Sequence, residues 1–201
     1  MHKPAQTSEP IHPLLASRWS PRAFSSSPVA SETLQALMEA ARWAPSCFGA
    51  EPWRFVLCDK ERNPAAWQKA LDCLVPDNQT WAQQAAALIL VCADTAFAHN
   101  GKSNTFHAYD TGAAAMCLVL EAENQGLRAH QMGGFDAEAA RAAFAVPQNC
   151  ACLSFIAVGK QAEAATLKDD DMRAREETPR QRQALVDNFF DGAWSVPVKV
   201  M

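Results

Sequence analysis

From Arg18 to Arg22 the chain reads Arg-Trp-Ser-Pro-Arg, two guanidiniums four positions apart with the Ser20 hydroxyl between them. A guanidinium presents planar, multidentate donors, so this grouping suits a phosphate and the sugar oxygens beside it. Taken alone, the segment is better read as a solvated arginine pair ahead of a helix. A second segment, Ala44-Pro45-Ser46-Cys47-Phe48-Gly49-Ala50-Glu51-Pro52-Trp53, is a turn bracketed by prolines. Proline fixes the backbone there, and Ser46 and Gly49 are small enough for a flat ligand to come close. Its plain alternative is a helix-to-strand loop. Cys47 has no histidine placed by the sequence to activate it, so nucleophilic catalysis is unsupported. His107, Tyr109 and Asp110 carry exchangeable protons, but positions two apart on a helix do not face each other, and hydrogen bonding at an interface is the better reading. His130, beside Gln131 and Met132, reads first as a satisfied buried histidine and only then as a pocket wall.

The elements that must position these residues follow from periodicity. A first helix is expected from about Ser31 to Trp43, because Leu34, Leu37, Met38 and Ala41 share a face, and Pro45 ends it. Trp53 to Cys58 reads as a buried strand. Asn63-Pro64 opens a helix whose apolar face is Trp67, Ala70, Leu71 and Leu74. After a loop at 75–79 come a short helix and a continuous apolar strand from Leu88 to Ala93. Thr105 to Gln125 lacks proline and is apolar nearly all round, so it is a long helix central to the fold or to a subunit interface. Gly126 closes it. A strand near Leu127 to His130, a helix from Asp136 to Phe144 and a strand from Cys152 to Val158 complete the core. Residues 161–177 read as a polar surface connection. The stretch from Pro179 to Met201 regains aromatics without an obvious element, and such a tail must bury them against something, a second subunit being the natural surface. Strands separated by helices without a repeated βαβ pattern make the class α+β.

Composition narrows the function. With 18 basic and 22 acidic residues the net charge is -4, which supplies no basic field for nucleic acid or an anionic membrane. No apolar run approaches the roughly 20 residues of a membrane helix. The 201 residues suit one domain. Seven cysteines without CxxC spacing read as reduced thiols in a cytoplasm. Cys150 and Cys152, the nearest approach to a ligand pair, alternate along the expected strand and are expected to point apart, so no structural metal is expected.

In order and spacing, the segments resemble the nitroreductase family over nearly the whole chain from Leu14 to Trp194. Arg18, Ser20, Arg22 and Phe24 are similar to its basic N-terminal signature. Ala44-Pro45-Ser46 with Pro52-Trp53 is similar to its second signature, and Asp110-Thr111-Gly112-Ala113 to the start of its central helix. Gly133-Gly134-Phe135-Asp136 and Arg180-Gln181-Arg182 occupy the places of its last two cofactor segments.

The resemblance implies a three-layer α/β/α sandwich with a mixed, mainly antiparallel sheet and a long central helix at a homodimer interface, with FMN bound at two shared sites. It divides the chain into an extended arm at 1–12, an FMN-binding domain at 13–178 and a C-terminal extension at 179–201 that packs on the partner. Arg18, Trp19, Ser20 and Arg22, joined by Arg180 and Arg182, are implied at the phosphate and ribityl chain. Pro45, Ser46 and Cys47 are implied to come from the neighbouring subunit, and Gly49 is implied among the cofactor-binding residues. Met132, Gly133 and Gly134 are implied at the flavin N5 edge, with backbone N–H groups brought close where a Cβ would obstruct, and Asn78 at the pyrimidine side of the ring. Gly49 and Glu51 depart from the Asn and Gln usual in the second signature, and Trp81 stands where some relatives carry a basic residue. The implied activity takes electrons from NADH or NADPH and reduces nitroaromatics, quinones or similar acceptors by a ping-pong mechanism, with no catalytic side chain. The alternatives are a specialised flavoenzyme (ene reduction, dehalogenation or consumption of flavin) and a flavin-binding dimer without turnover.

Overall fold

The structure, a computed structural model, describes residues 3–199. Its helices are α1 (Pro13–Ser17), α2 (Ser31–Arg42), α3 (Pro64–Asp72), α4 (Pro76–Ala82), α5 (His107–Asn124), α6 (Ala137–Phe144), α7 (Asp170–Glu177) and α8 (Leu185–Asn188). Its strands are β1 (Trp53–Asp59), β2 (Ala87–Asp94), β3 (Arg128–Met132) and β4 (Cys150–Gly159). They form one sheet in the order β1-β2-β4-β3. Every pairing is antiparallel, so the parallel pair that a mixed sheet allows is not found among the described residues.

Both faces of this sheet are covered, which explains why β2 is a continuous apolar run where a half-exposed strand would alternate. Ile89, Val91, Ile156 and Val158 face α2 and α5, meeting Leu34, Leu37, Ala114 and Leu118. Leu88, Leu90, Phe155 and Ala157 face the opposite layer, meeting Trp67, Leu71, Trp81 and Ala140. The result is an α/β/α sandwich, an α+β fold with α5 at its centre.

Local chemistry accounts for the element ends. Asn63 accepts from Ala66 N to cap α3, and Asp136 accepts from Glu138 N and Ala139 N to cap α6. Ala145 closes α6 in the left-handed conformation, φ 51°. In β4 a bulge at the register shift between Val91 and Cys92 sets Cys92 opposite Cys152, with Val91 opposite Ser154.

Several expectations need correction. A short helix, α1, precedes the one expected first; its five residues are too few to show a period, and Pro13 with the His12 side chain starts it. The polar connection at 161–177 contains α7, capped by Asp169, and carries a fully buried Glu176. The tail contains α8, and Val200 and Met201 lie outside the described residues. Cys150 and Cys152 do not point apart: positions two apart on a strand share a face, and both lie against the α3/α6 layer, with Cys152 Sγ 3.9 Å from Cys92 Sγ. Among the described residues no three His, Cys, Asp or Glu side chains are grouped to hold a metal, and no helix is long and apolar enough to cross a membrane.

Candidate cofactor site

The chain leaves β4, runs through α7 and returns to the end of α1, so both arginine segments converge. Arg18, Trp19, Ser20, Arg22, Arg180 and Arg182 line one open cavity of about 330 Å³. Lys3, Arg175, Thr178 and Pro179 complete its wall, and sequence reasoning placed none of these four at the site.

Glu176 is the residue that shapes the cavity. It is 1% exposed, and its carboxylate accepts from the backbone N–H of Arg22 at 3.0 Å and of Ala23 at 3.0 Å. A buried carboxylate holding two amides fixes the Arg18–Ala23 turn against α7. Nothing in a polar run such as Arg173-Ala-Arg-Glu-Glu177 marks which carboxylate will be buried; only the approach of the 18–23 turn decides it. Arg18 Nη1 reaches Ser20 Oγ at 3.4 Å. Arg180 Nη1 donates to Ala16 O at 2.8 Å and Lys3 O at 3.1 Å.

These guanidiniums disfavour each other. Arg18 is drawn below the usual arginine range by burial and then by Arg182, with Glu123 opposing. Arg180 is drawn down by burial, then by Arg18 and Arg182. Among the described residues six cationic side chains line the cavity, and the Glu176 carboxylate beside them is engaged by backbone amides. Such a cluster favours an anion. Trp19 lines the same cavity, and its buried indole N–H has no partner among the described residues.

The second segment does not join this cavity within one chain. Cys47–Gly49 forms a 3-10 turn after α2, with Pro45 exposed and Cys47 half-buried. Ser46 Oγ accepts from Glu51 N at 3.0 Å, and Asp110 Oδ2 accepts from Cys47 N at 3.0 Å. The turn is therefore tied to the first turn of α5, which gives Asp110 a structural task. Gly49 at φ 61° occupies the left-handed region, which glycine adopts at no steric cost. Phe48 at φ 55° and Glu51 at φ 45° adopt it at a cost of about 1 kcal/mol or more each. His107 Nδ1 pairs with Asn104 O at 2.8 Å, and Tyr109 is exposed.

The third group gathers at the end of β3. Asn78 Nδ2 donates to Gly134 O at 3.0 Å. Gly134 lacks a side chain for a reason internal to the protein: a Cβ there would lie 2.9 Å from both Asn78 Nδ2 and Val75 Cγ2. This packing reason is independent of any ligand, whereas Gly133 has open space around it. Met132 is buried in the core, so its side chain is packing. Trp81 is buried between Phe24, ring centroids 6.1 Å apart, and His130, 4.6 Å apart, and is a core tryptophan. His130 Nδ1 donates to Pro21 O at 2.9 Å, joining β3 to the arginine turn. Burial pushes His130 down to about 4; the Pro21 contact opposes this and Arg22 and Arg18 add to it.

The fold and this cavity define an α+β protein whose cationic site is assembled from both ends of the chain. Residues 15–160 match the model of the Nitroreductase family. A solved structure described as an oxidoreductase containing FMN superimposes with a TM-score of 0.89 at 34% identity, covering 95% of this chain and 96% of that one. A nitroreductase family protein from Streptococcus pneumoniae shares the fold, with a TM-score of 0.69 at 19% identity over 87% of this chain and 96% of that one. An uncharacterized 15.4 kDa protein of Mycolicibacterium smegmatis is 38% identical over 125 residues, 62% of this chain and 82% of that protein. The chain belongs to the nitroreductase family and is an oxidoreductase.

Proposed function

We propose that the protein is an FMN-dependent oxidoreductase that draws electrons from NADH or NADPH and passes them to a small electrophilic acceptor, a nitroaromatic or quinone, in two half-reactions at one pocket. The observation that carries this reading is the arginine cavity: a nitroreductase-family chain folds so that Arg18, Ser20, Arg22, Arg180 and Arg182 meet around a space suited to a phosphate monoester.

When bound, FMN supplies the hydride and electron chemistry, which no side chain of this protein provides. The chain's own residues bind and orient. Arg18, Arg22, Arg180 and Arg182 neutralise the phosphate, and Ser20 supports Arg18. Asn78, anchored on Gly134 O through its Nδ2, keeps its side-chain oxygen for the ring. Gly133 leaves its backbone open to approach.

A homodimer completes the site in this reading. The Pro45–Gly49 turn lies apart from its own chain's cavity and presents Phe48, 84% exposed, while Tyr109 of α5 is 80% and Trp43, just after α2, is 76% exposed. So much aromatic surface in one region marks an interface. The described part of the extension, residues 179–199, with Trp194 86% exposed, packs on the partner in the same assembly. The protein acts in the cytoplasm, consistent with seven free cysteines.

The test is anaerobic. Protein loaded with FMN loses its yellow absorbance on addition of NADH or NADPH, and regains it with a nitroaromatic or quinone. No bleaching with either nicotinamide overturns the enzyme reading. Bleaching followed by reoxidation only with an activated alkene or a halogenated aromatic supports a specialised flavoenzyme instead.

A further inference from the structure

We propose that Lys3, on the N-terminal arm outside the family-matched residues, is a direct ligand of the phosphate monoester held in the arginine cavity, which makes the arm part of the cofactor site. This rests on the reading that the cavity holds the phosphate of FMN.

Lys3 lines the cavity together with the arginines. Its ammonium sits 4.4 Å from the centroid of the Trp19 ring, and its Nζ donates to Glu176 O at 2.7 Å and, more weakly, to Arg175 O at 3.4 Å. An ammonium has three N–H donors, so these two carbonyls leave one for an anion. The ammonium is held by Trp19 and the last turn of α7, and it therefore occupies a fixed place beside the guanidiniums.

The backbone of the arm is tied to the same site. Arg180 donates to Lys3 O and Ala16 O, and Ala5 N donates to Ala16 O at 2.8 Å. One side chain thus bridges the arm, α1 and the cavity, so an anion that fixes Arg180 also fixes the arm. Electrostatics oppose the arrangement when the cavity holds no anion. Burial draws the Lys3 ammonium below its ordinary range; Glu176 opposes this, and Arg180 and Arg22 add to it. A further cation among five arginines is unfavourable unless a dianion compensates it.

The competing role is purely structural, with Lys3 capping the terminal carbonyls of α7. The experiment separates the two. Flavin-stripped full-length wild type, Lys3→Met and Lys3→Arg are titrated with FMN and with riboflavin, which lacks the phosphate, by quenching of flavin fluorescence. Met keeps an unbranched side chain of similar length without the charge, and melting temperatures check the fold. The expected result for Lys3→Met is FMN binding about tenfold weaker, the loss of one charge-assisted contact. Its riboflavin binding is unchanged, the FMN deficit shrinks as salt rises, and Lys3→Arg stays near wild type. In hydrogen exchange, FMN but not riboflavin slows exchange at the arm around Ala5 in the wild type. FMN binding by Lys3→Met equal to wild type overturns the proposal, as does an equal loss for both flavins, which the capping role alone gives. Wild type that binds no FMN overturns the underlying reading and the proposal with it, a result distinct from either.

Discussion

Replacing Glu176 by Ala tests whether the buried carboxylate holds the arginine turn. The carboxylate is 1% exposed and accepts from two backbone amides, Arg22 N at 3.0 Å from each oxygen and Ala23 N at 3.0 Å. Alanine leaves both amides without a partner in a place water reaches poorly, and an orphaned buried donor costs about 1–3 kcal/mol. Two of them, with the void left behind, make about 3–4 kcal/mol. A chain of this length loses about 2–4 °C of melting temperature per kcal/mol, so the expected fall is about 10 °C. Glu176→Gln keeps an acceptor oxygen and retains about half of the effect. The assay is thermal unfolding by circular dichroism with urea denaturation for the free energy, on flavin-stripped protein so that ligand linkage does not enter. A fall under about 2 °C for Glu176→Ala would refute the reasoning, because the amides would then have found other partners at little cost.

Three further outcomes follow from particular contacts. Gly134→Ala places a Cβ 2.9 Å from Asn78 Nδ2 and Val75 Cγ2 and is expected to cost about 1–3 kcal/mol in urea denaturation, with Val75→Ala restoring part of it; Gly133→Ala, in open space, leaves stability unchanged. His130 sits at about 4 in the fold against an ordinary 6.5, so the unfolded chain binds more protons between those values. Its contribution is therefore complete above pH 6.5 and lost as pH falls through 6.5 towards 4, about 2 kcal/mol between pH 7 and pH 5; His130→Gln removes that slope, and an unchanged slope contradicts the assignment. Ala145→Gly relieves a left-handed alanine at φ 51° and raises stability by about 0.5–1 kcal/mol, whereas a loss would show that its methyl packing outweighs the strain.

The sequence by itself determined the core elements, because each is written in local chemistry: Asn63-Pro64 and Asp136 cap their helices, the apolar run of β2 answers to a sheet covered on both faces, and Gly126 ends α5. It also marked the arginines, since paired guanidiniums are conspicuous by type and spacing. What it left out is short or polar. α1 has too few residues for a period, and α7 has no apolar face, so periodicity is silent on both. Only the tertiary structure decided that Glu176 is buried, that Lys3 and Arg175 join the cavity, that Gly134 is small for the sake of Val75 and Asn78, and that Trp81 is core. Each depends on which distant segment arrives beside it. Pattern along the chain reports a residue's neighbours in sequence, whereas the burial of a carboxylate and the gathering of cations are set by contacts more than a hundred residues apart.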